Sequence, residues 1–245
     1  MRAARVSEIQ SLKGLKNISW LTRRQLHKLA AVLTISRIER RGIIFDDRSS
    51  PDSAYVLLSG VARITCCNRK GERTLVIVLA PGMIPGVPPA VTGIRYSFRC
   101  EAVTDCQIGI VTLDNFIEIA LGIGSADFKS MAASYSGRWD LVQLRCANFM
   151  SCTLEERVAL ILLELSDTFG VRDGTGMRLT LAATHKDLAE LVGASRPRVT
   201  EFLTSFELQH LIQRDGRQLI IKRGRLERFL EEKHTLAYGG EAAID

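Results

Sequence analysis

Residues 184–203 read Thr-His-Lys-Asp-Leu-Ala-Glu-Leu-Val-Gly-Ala-Ser-Arg-Pro-Arg-Val-Thr-Glu-Phe-Leu. Three requirements of a helix-turn-helix meet in this stretch. Ala189 is small enough for two helices to approach, and Gly193 supplies a permissive backbone where the turn must be made. Val199 and Phe202 are expected on the inner face of the second helix, opposite Leu188 and Val192. Ser195 is placed to cap that helix, and Pro197 is tolerated because a first turn has no internal donors to lose. The exposed N-terminal part then carries Arg196, Arg198, Thr200 and Glu201, the end that enters a major groove in such motifs. Arginine takes guanine bidentately, while Glu201 accepts from cytosine or orients an arginine. Thr180, Thr184 and Lys186 are expected phosphate contacts, and Ser195 is counted among the DNA-binding residues.

Working outward, residues 211–221 form alternating runs around Asp215-Gly216, a strong hairpin signal. This predicts a wing with Arg214 and Arg217 near its tip. Upstream, Thr153 and Glu156 have capping-box spacing before Val158, Leu160, Ile161, Leu162, Leu163 and Leu165, a core helix. The segment from Gly170 to Gly176 is read as a linker that ends it. Before that, Phe128, Ala132, Tyr135, Trp139, Val142, Cys146 and Phe149 recur at alternating steps of four and three, a heptad seam. Pairing with a second copy is the stronger reading; packing on the chain's own first half is the alternative.

The first half has a different texture. Residues 7–33 show helical spacing of leucines, which predicts one or two short helices. From Ile35 to about Val111, short β-type runs (42–45, 54–58, 61–65, 74–79 and 107–111) alternate with turn residues, as in a sandwich or small barrel. The expected fold class is therefore α+β. It comprises a jelly-roll barrel with N-terminal helices over 1–124, a dimerisation helix over 125–150, a winged helix-turn-helix over 151–233 and a flexible tail over 234–245.

The 245 residues carry a net charge of +6, with 46% hydrophobic and 24% charged residues. A mild basic excess fits a nucleic-acid partner without demanding one. No run of 18 apolar residues exists and the N-terminus lacks a signal-peptide core, so a cytoplasmic location is expected. The six cysteines include no C-x-x-C pair. Buried free thiols are the bland reading, with a redox-sensing pair, or a metal or iron–sulfur site, as the alternatives. No nucleophile–base pair, phosphate loop or metal spacing is found, and an enzyme is not expected.

The order of these parts resembles the CRP/FNR family of bacterial transcription regulators. In the barrel the resemblance rests on Arg41-Gly42-Ile43-Ile44-Phe45-Asp46-Asp47 through Tyr55 to Arg63, Gly71-Glu72-Arg73 and Leu79-Ala80-Pro81-Gly82. In the C-terminal part it rests on Leu188-Ala189, Gly193-Ala194-Ser195-Arg196 and Val199-Thr200. It covers nearly all of the chain. It implies a homodimeric, sequence-specific activator with double-stranded DNA, a second copy and RNA polymerase as partners, and an effector-binding barrel.

The departures from the family pattern are informative. Nucleotide-binding members carry Gly-Glu, with Arg-Ser or Arg-Thr about ten residues on, the Glu for the ribose and the Arg for the cyclic phosphate. Here Gly86 is followed by Val87, and Tyr96-Ser97 stand at the arginine site with Arg95 and Arg99 nearby. An unpaired ribose hydroxyl costs roughly 1–3 kcal/mol, so standard cAMP binding is not expected and no cofactor is assigned. The iron–sulfur cysteine spacing is missing, and His27, His185, His210 and His234 lie outside the barrel, which leaves no haem ligand. The effector stays open between a non-standard nucleotide, another small molecule, a thiol signal and none, with the Pro85–Pro89 loop filling the pocket. Pro197 and Glu201 also depart from the usual recognition helix, so the familiar operator is not assumed. The alternative function is a ligand-sensing barrel whose winged helix mediates protein contacts.

Overall fold

Strand β3, Ser53–Ser59, is buried along almost its whole length, and its alternate residues serve two different cores. Tyr55 and Leu57 point one way and Ala54 and Val56 the other, as the two-residue period of a strand requires. The computed structural model describes residues 12, 15, 18, 21–67, 73–85, 96–122, 124–174, 176–216 and 218–233. The expected tail over 234–245, the turn over 68–71 and most of 7–20 lie outside them. The chain divides into two compact units, Met1–Trp139 and Asp140–Asp245.

In the first unit, helix α1 (Arg23–Val32) opens on a capping box between Thr22 and Gln25. It is followed by strands β1 (Thr34–Ile38), β2 (Ile43–Phe45), β3, β4 (Ala62–Cys67), β5 (Arg73–Leu79), β6 (Phe98–Ala102) and β7 (Cys106–Thr112), then by helix α2 (Leu113–Leu121). The strands form two antiparallel sheets, ordered β1-β7-β3 and β2-β6-β4-β5. Phe45, Tyr55, Leu57, Ala62, Leu79, Tyr96, Cys100 and Ile108 close the space between them. On the outer side of the three-stranded sheet, Ala54, Val56 and Val111 meet Leu26, Leu29 and Leu33 near α1, and Phe116 and Ile119 of α2. The short β-runs thus form a barrel with helices against one sheet. Cys100 lies inside β6, Cys106 opens β7, and residues 103–105 connect them.

Helix α3 (Ser125–Ser151) runs across the boundary between the units. The second unit continues with α4 (Leu154–Phe169), β8 (Gly170–Asp173), β9 (Gly176–Leu179), α5 (His185–Val192), α6 (Arg196–Leu208), β10 (Ile212–Asp215), β11 (Gln218–Ile221) and α7 (Arg223–Glu232). The box between Thr153 and Glu156 caps α4, whose leucines and isoleucines are nearly all buried. The segment from Gly170 to Gly176 is no linker. It belongs to the hairpin β8–β9, which joins the wing in one antiparallel sheet, β10-β11-β9-β8. Asp173-Gly174 makes the turn, Gly174 at φ +43°, just as Asp215-Gly216 turns the wing with Gly216 at φ +58°. No helix among the described residues is long and apolar enough to cross a membrane.

Gly60 closes the β3–β4 corner at φ +87°, and a Cβ there would lie 2.4 Å from the carbonyl oxygen of Asp105. Both the torsion and the space exclude a side chain. Gly60→Ala is expected to lower stability by about 1–3 kcal/mol, read as a lower urea midpoint with unchanged slope.

Candidate nucleic-acid interface

The interface is built on helix ends. Thr184 caps α5: its hydroxyl accepts from the Asp187 amide at 3.1 Å and donates to the Asp187 carboxylate at 2.6 Å. Gly193 ends α5 in the left-handed region at φ +65°, its amide returning to Ala189 and Glu190. Two residues on, α6 begins with Ser195 at the cap position and Pro197 in the first turn. The Ser195 hydroxyl makes no cap bond. That end of α6 therefore keeps unsatisfied donors, the arrangement that receives phosphate at helix N-termini.

The inner face of α6 consists of Val199, Leu203 and Phe206, all fully buried, against Leu188, Ala189, Leu191 and Val192. Phe202 is not on that face. It is half-buried, and the Arg198 guanidinium lies 5.4 Å over its ring. Arg198 also pairs with Glu201 at 3.3 Å, so Glu201 orients an arginine in the unbound chain. Arg196 is exposed.

Thr200 is held inward. Its hydroxyl donates to the Arg196 carbonyl at 3.0 Å and sits 2.8 Å from Nδ1 of His185. With its one proton so used, the Thr200 oxygen accepts from His185, and the pair ties the start of α5 to the recognition helix. Other expected DNA-contact residues are also engaged. Thr180 donates to the Phe169 carbonyl at 2.9 Å, Lys186 pairs with Glu190 at 3.8 Å while staying exposed, and Arg214 pairs with Glu207 at 3.2 Å. Arg217 lies outside the described residues.

Two residues of this surface were not singled out from the sequence. Arg178, on β9, bonds Asp173 at 2.6 Å, Asp215 at 2.5 Å and Gln218 at 3.2 Å, which locks the β8–β9 hairpin to the wing. His185 has a lowered pKa through burial and the charges of Arg214 and Arg196. Neither carries a local motif; both emerge only when distant strands and helices meet.

In the barrel, Gly86, Val87 and Arg95 lie outside the described residues. Tyr96 is buried, stacked on Phe45 at 4.4 Å between centroids, and donates to the Ser53 carbonyl at 3.2 Å. Its hydroxyl pKa is pushed up by burial and by Tyr55 and Asp52. It is therefore core rather than pocket lining. Ser97 is exposed, and Arg99 pairs with Asp46 at 3.4 Å. Burial opposes ionisation of Asp46, but the Arg48 amide and Arg99 outweigh it and hold the carboxyl below its usual range. Burial pushes the Cys100 and Cys106 thiols up, so both stay protonated and poor as nucleophiles.

Comparison with known proteins meets this geometry at both ends. Residues 36–121 match the cyclic nucleotide-binding domain, and residues 156–229 match the Crp-like helix-turn-helix domain. The chain belongs to the CRP/FNR family. It is 27% identical to the nitrogen fixation regulation protein FixK of Azorhizobium caulinodans over 80% of this chain and 78% of that protein. It is 26% identical to the CRP-like cAMP-activated global transcriptional regulator of Mycobacterium tuberculosis, over 73% of this chain and 79% of that protein. The fold is that of FixK2 from Bradyrhizobium japonicum, with a TM-score of 0.70 at 21% identity, over 84% of this chain and 98% of that one. The chain is thus a transcription regulator with a DNA-binding helix-turn-helix and a cyclic-nucleotide-binding-like domain.

The lowered pKa of His185 sets a pH dependence. The unfolded chain binds its proton near pH 6.5, the folded chain only at lower pH, so stability from this residue is complete above that value. It is lost as pH falls through the window below, because the unfolded state takes the proton first. His185→Asn keeps a donor near Nδ1 without the titration. The variant is expected to lose less stability than the parent between pH 6.5 and 5, measured by thermal melts across that range.

Proposed function

We propose that this regulator acts as a homodimer on a two-half-site operator, with half-sites about one helical turn apart. The observation that carries the dimer is the state of α3. Phe128 is 56% exposed, Trp139 65%, Val142 41% and Phe149 45%, a stripe of large apolar side chains on one helix. Such a stripe favours burial against a like surface, and its heptad steps suit a second α3. Cys146 lies exposed on the same stripe and Ala132 is half-buried; the side chain of Tyr135 is outside the described residues. Phe149 also serves its own unit, since Arg157 stacks over its ring at 4.8 Å.

In this reading Arg196 and Arg198 read bases, with Glu201 releasing or steering Arg198. Ser195 and the open end of α6, with Lys186, Arg214 and Arg217, take phosphates. Thr184 and Thr200 shape the reading surface through Asp187 and His185 rather than touching bases. RNA polymerase is the further partner that a family activator requires, and a cytoplasmic location follows from that work.

The barrel reading follows from Tyr96. An aromatic ring packed where the family's arginine would pair with a cyclic phosphate leaves that anion no cation, and Val87 offers the ribose no acceptor. We infer that the barrel does not take cAMP in the family's standard way.

Two outcomes are expected. In sedimentation the parent should run as a dimer and Trp139→Glu as a monomer. In salt-titrated binding to genomic fragments the parent should select sequences with a steep salt slope, Trp139→Glu should bind weakly, and Arg196→Ala should lose selectivity. A monomeric parent, or binding that ignores salt and sequence, overturns the reading. Separately, cAMP should leave the melting temperature unchanged; a rise that grows with cAMP concentration overturns the barrel reading.

A further inference from the structure

Apart from the reading surface, the second unit contains a cleft that meets the apolar stripe at Phe149. Its walls are Leu141, Leu144 and Asn148 of α3, Leu160 and Ile161 of α4, and Leu191 and Val192 of α5. Its volume of about 50 Å³ is several times what one water needs. At about 100° per residue around a helix, Leu141, Leu144 and Asn148 lie on another face from Val142 and Cys146. A second copy seated on the stripe therefore borders the cleft at Phe149 and leaves the face of Leu141, Leu144 and Asn148 to its own unit.

Two arginines border the cleft, and they differ. Arg145 forms a forked pair with Glu164, with Nε at 2.8 Å from the carboxylate. Arg157 has no such partner. Its Nε is buried without any hydrogen bond, and among the described residues its guanidinium meets no carboxylate and only lies over the Phe149 ring. A buried charged donor left unmade is costly. The Asn148 side-chain oxygen accepts from the Cys152 thiol at 3.7 Å, which leaves its amide N–H groups for another acceptor.

We propose that this cleft binds a small organic acid, its carboxylate on Arg157 and its apolar body along Leu144, Leu160, Ile161, Leu191 and Val192. One guanidinium fork matches one carboxylate in plane. The leucine-lined walls suit a hydrocarbon or aromatic body and offer few donors to a more highly charged group. The site lies in the DNA-binding unit, outside the barrel where the family's effector domain sits.

The test uses the full chain, with hexanoate and benzoate as probes and hexanamide and benzamide as uncharged counterparts, read by thermal shift and calorimetry. Either acid should bind saturably and raise the melting temperature, and neither amide should. Arg157→Met, which replaces the unpartnered charge by an apolar chain of similar length, should melt higher without ligand and bind acids at least roughly tenfold more weakly. Leu144→Trp, at a partly exposed wall position, should fill the cleft and abolish acid binding while the fold is retained. Amides that bind as well as acids, acid binding that survives Arg157→Met, or no binding by either acid would each overturn the proposal.

Discussion

The second unit depends on one close approach. A Cβ on Gly193 would lie 2.6 Å from Cε1 of Phe149, and Gly193 already sits at φ +65° to end α5. Glycine is thus required twice at one position, for the left-handed turn and for the ring that fills its empty side. Through that contact the last turns of α3 are fixed against the helix-turn-helix. The same ring carries the Arg157 guanidinium on its face. Turn, helix end and cleft are consequences of a single missing methyl group, and no larger residue could serve all three.

The parts of the fold that were legible in the sequence are those with short-range physics. Capping boxes at Thr153–Glu156, the Asp215-Gly216 hairpin and the Ala189–Gly193 spacing each need only a few neighbouring residues to work. What failed needed longer reach. Gly170 to Gly176 carries the same Asp-Gly signal as the wing, yet reads as a linker: β8 pairs with the neighbouring β9, and the hairpin joins a larger sheet only through Met177 and Arg178, whose partners on β11 lie some forty residues downstream. Phe202 and Leu203 are adjacent and both apolar; the period alone does not say which faces α5, and the packing of Phe206 against Phe229 decides for Leu203. Thr200 and Thr180 read as free hydroxyls, but their distant partners His185 and the Phe169 carbonyl consume them; Thr184 is consumed nearer by, in a capping box with Asp187. In the barrel, Tyr96 reads as a pocket position because it is counted from Gly86, whereas its place in the core is set by Phe45, on a strand far earlier in the chain.

Charge is distributed against first expectation. The overall excess of +6 invited a nucleic-acid partner. Residues 140–245, which hold the helix-turn-helix, contain 14 Lys and Arg against 16 Asp and Glu, so the excess belongs to residues 1–139. A near-neutral DNA-binding unit must focus its cations. Acidic residues here are spent on structure: Asp187 in a cap, Glu164 on Arg145, Asp173 and Asp215 on Arg178, Asp167 and Glu227 on Arg223. That leaves Arg196 and the unbonded start of α6 as the local positive end. Long-range attraction is weak in such a unit, and binding rests on the few cations set directly against the DNA, Arg196 among them.

The same logic of matched groups separates the barrel from the cleft. A ligand shifts an equilibrium only as far as its affinities for two states differ. Phe45, Tyr55 and Tyr96 fill the barrel with mutually packed rings, and the Tyr96 hydroxyl already has its acceptor in the Ser53 carbonyl. A guest would have to displace about 0.5–1.5 kcal/mol of aromatic pairing per contact, besides the burial of the rings, before gaining anything. At Arg157 the balance is reversed: the Nε is already buried without a hydrogen bond, and nothing need be displaced from it. A donor left unmade is where a guest can gain most, since its partner adds a bond and displaces none.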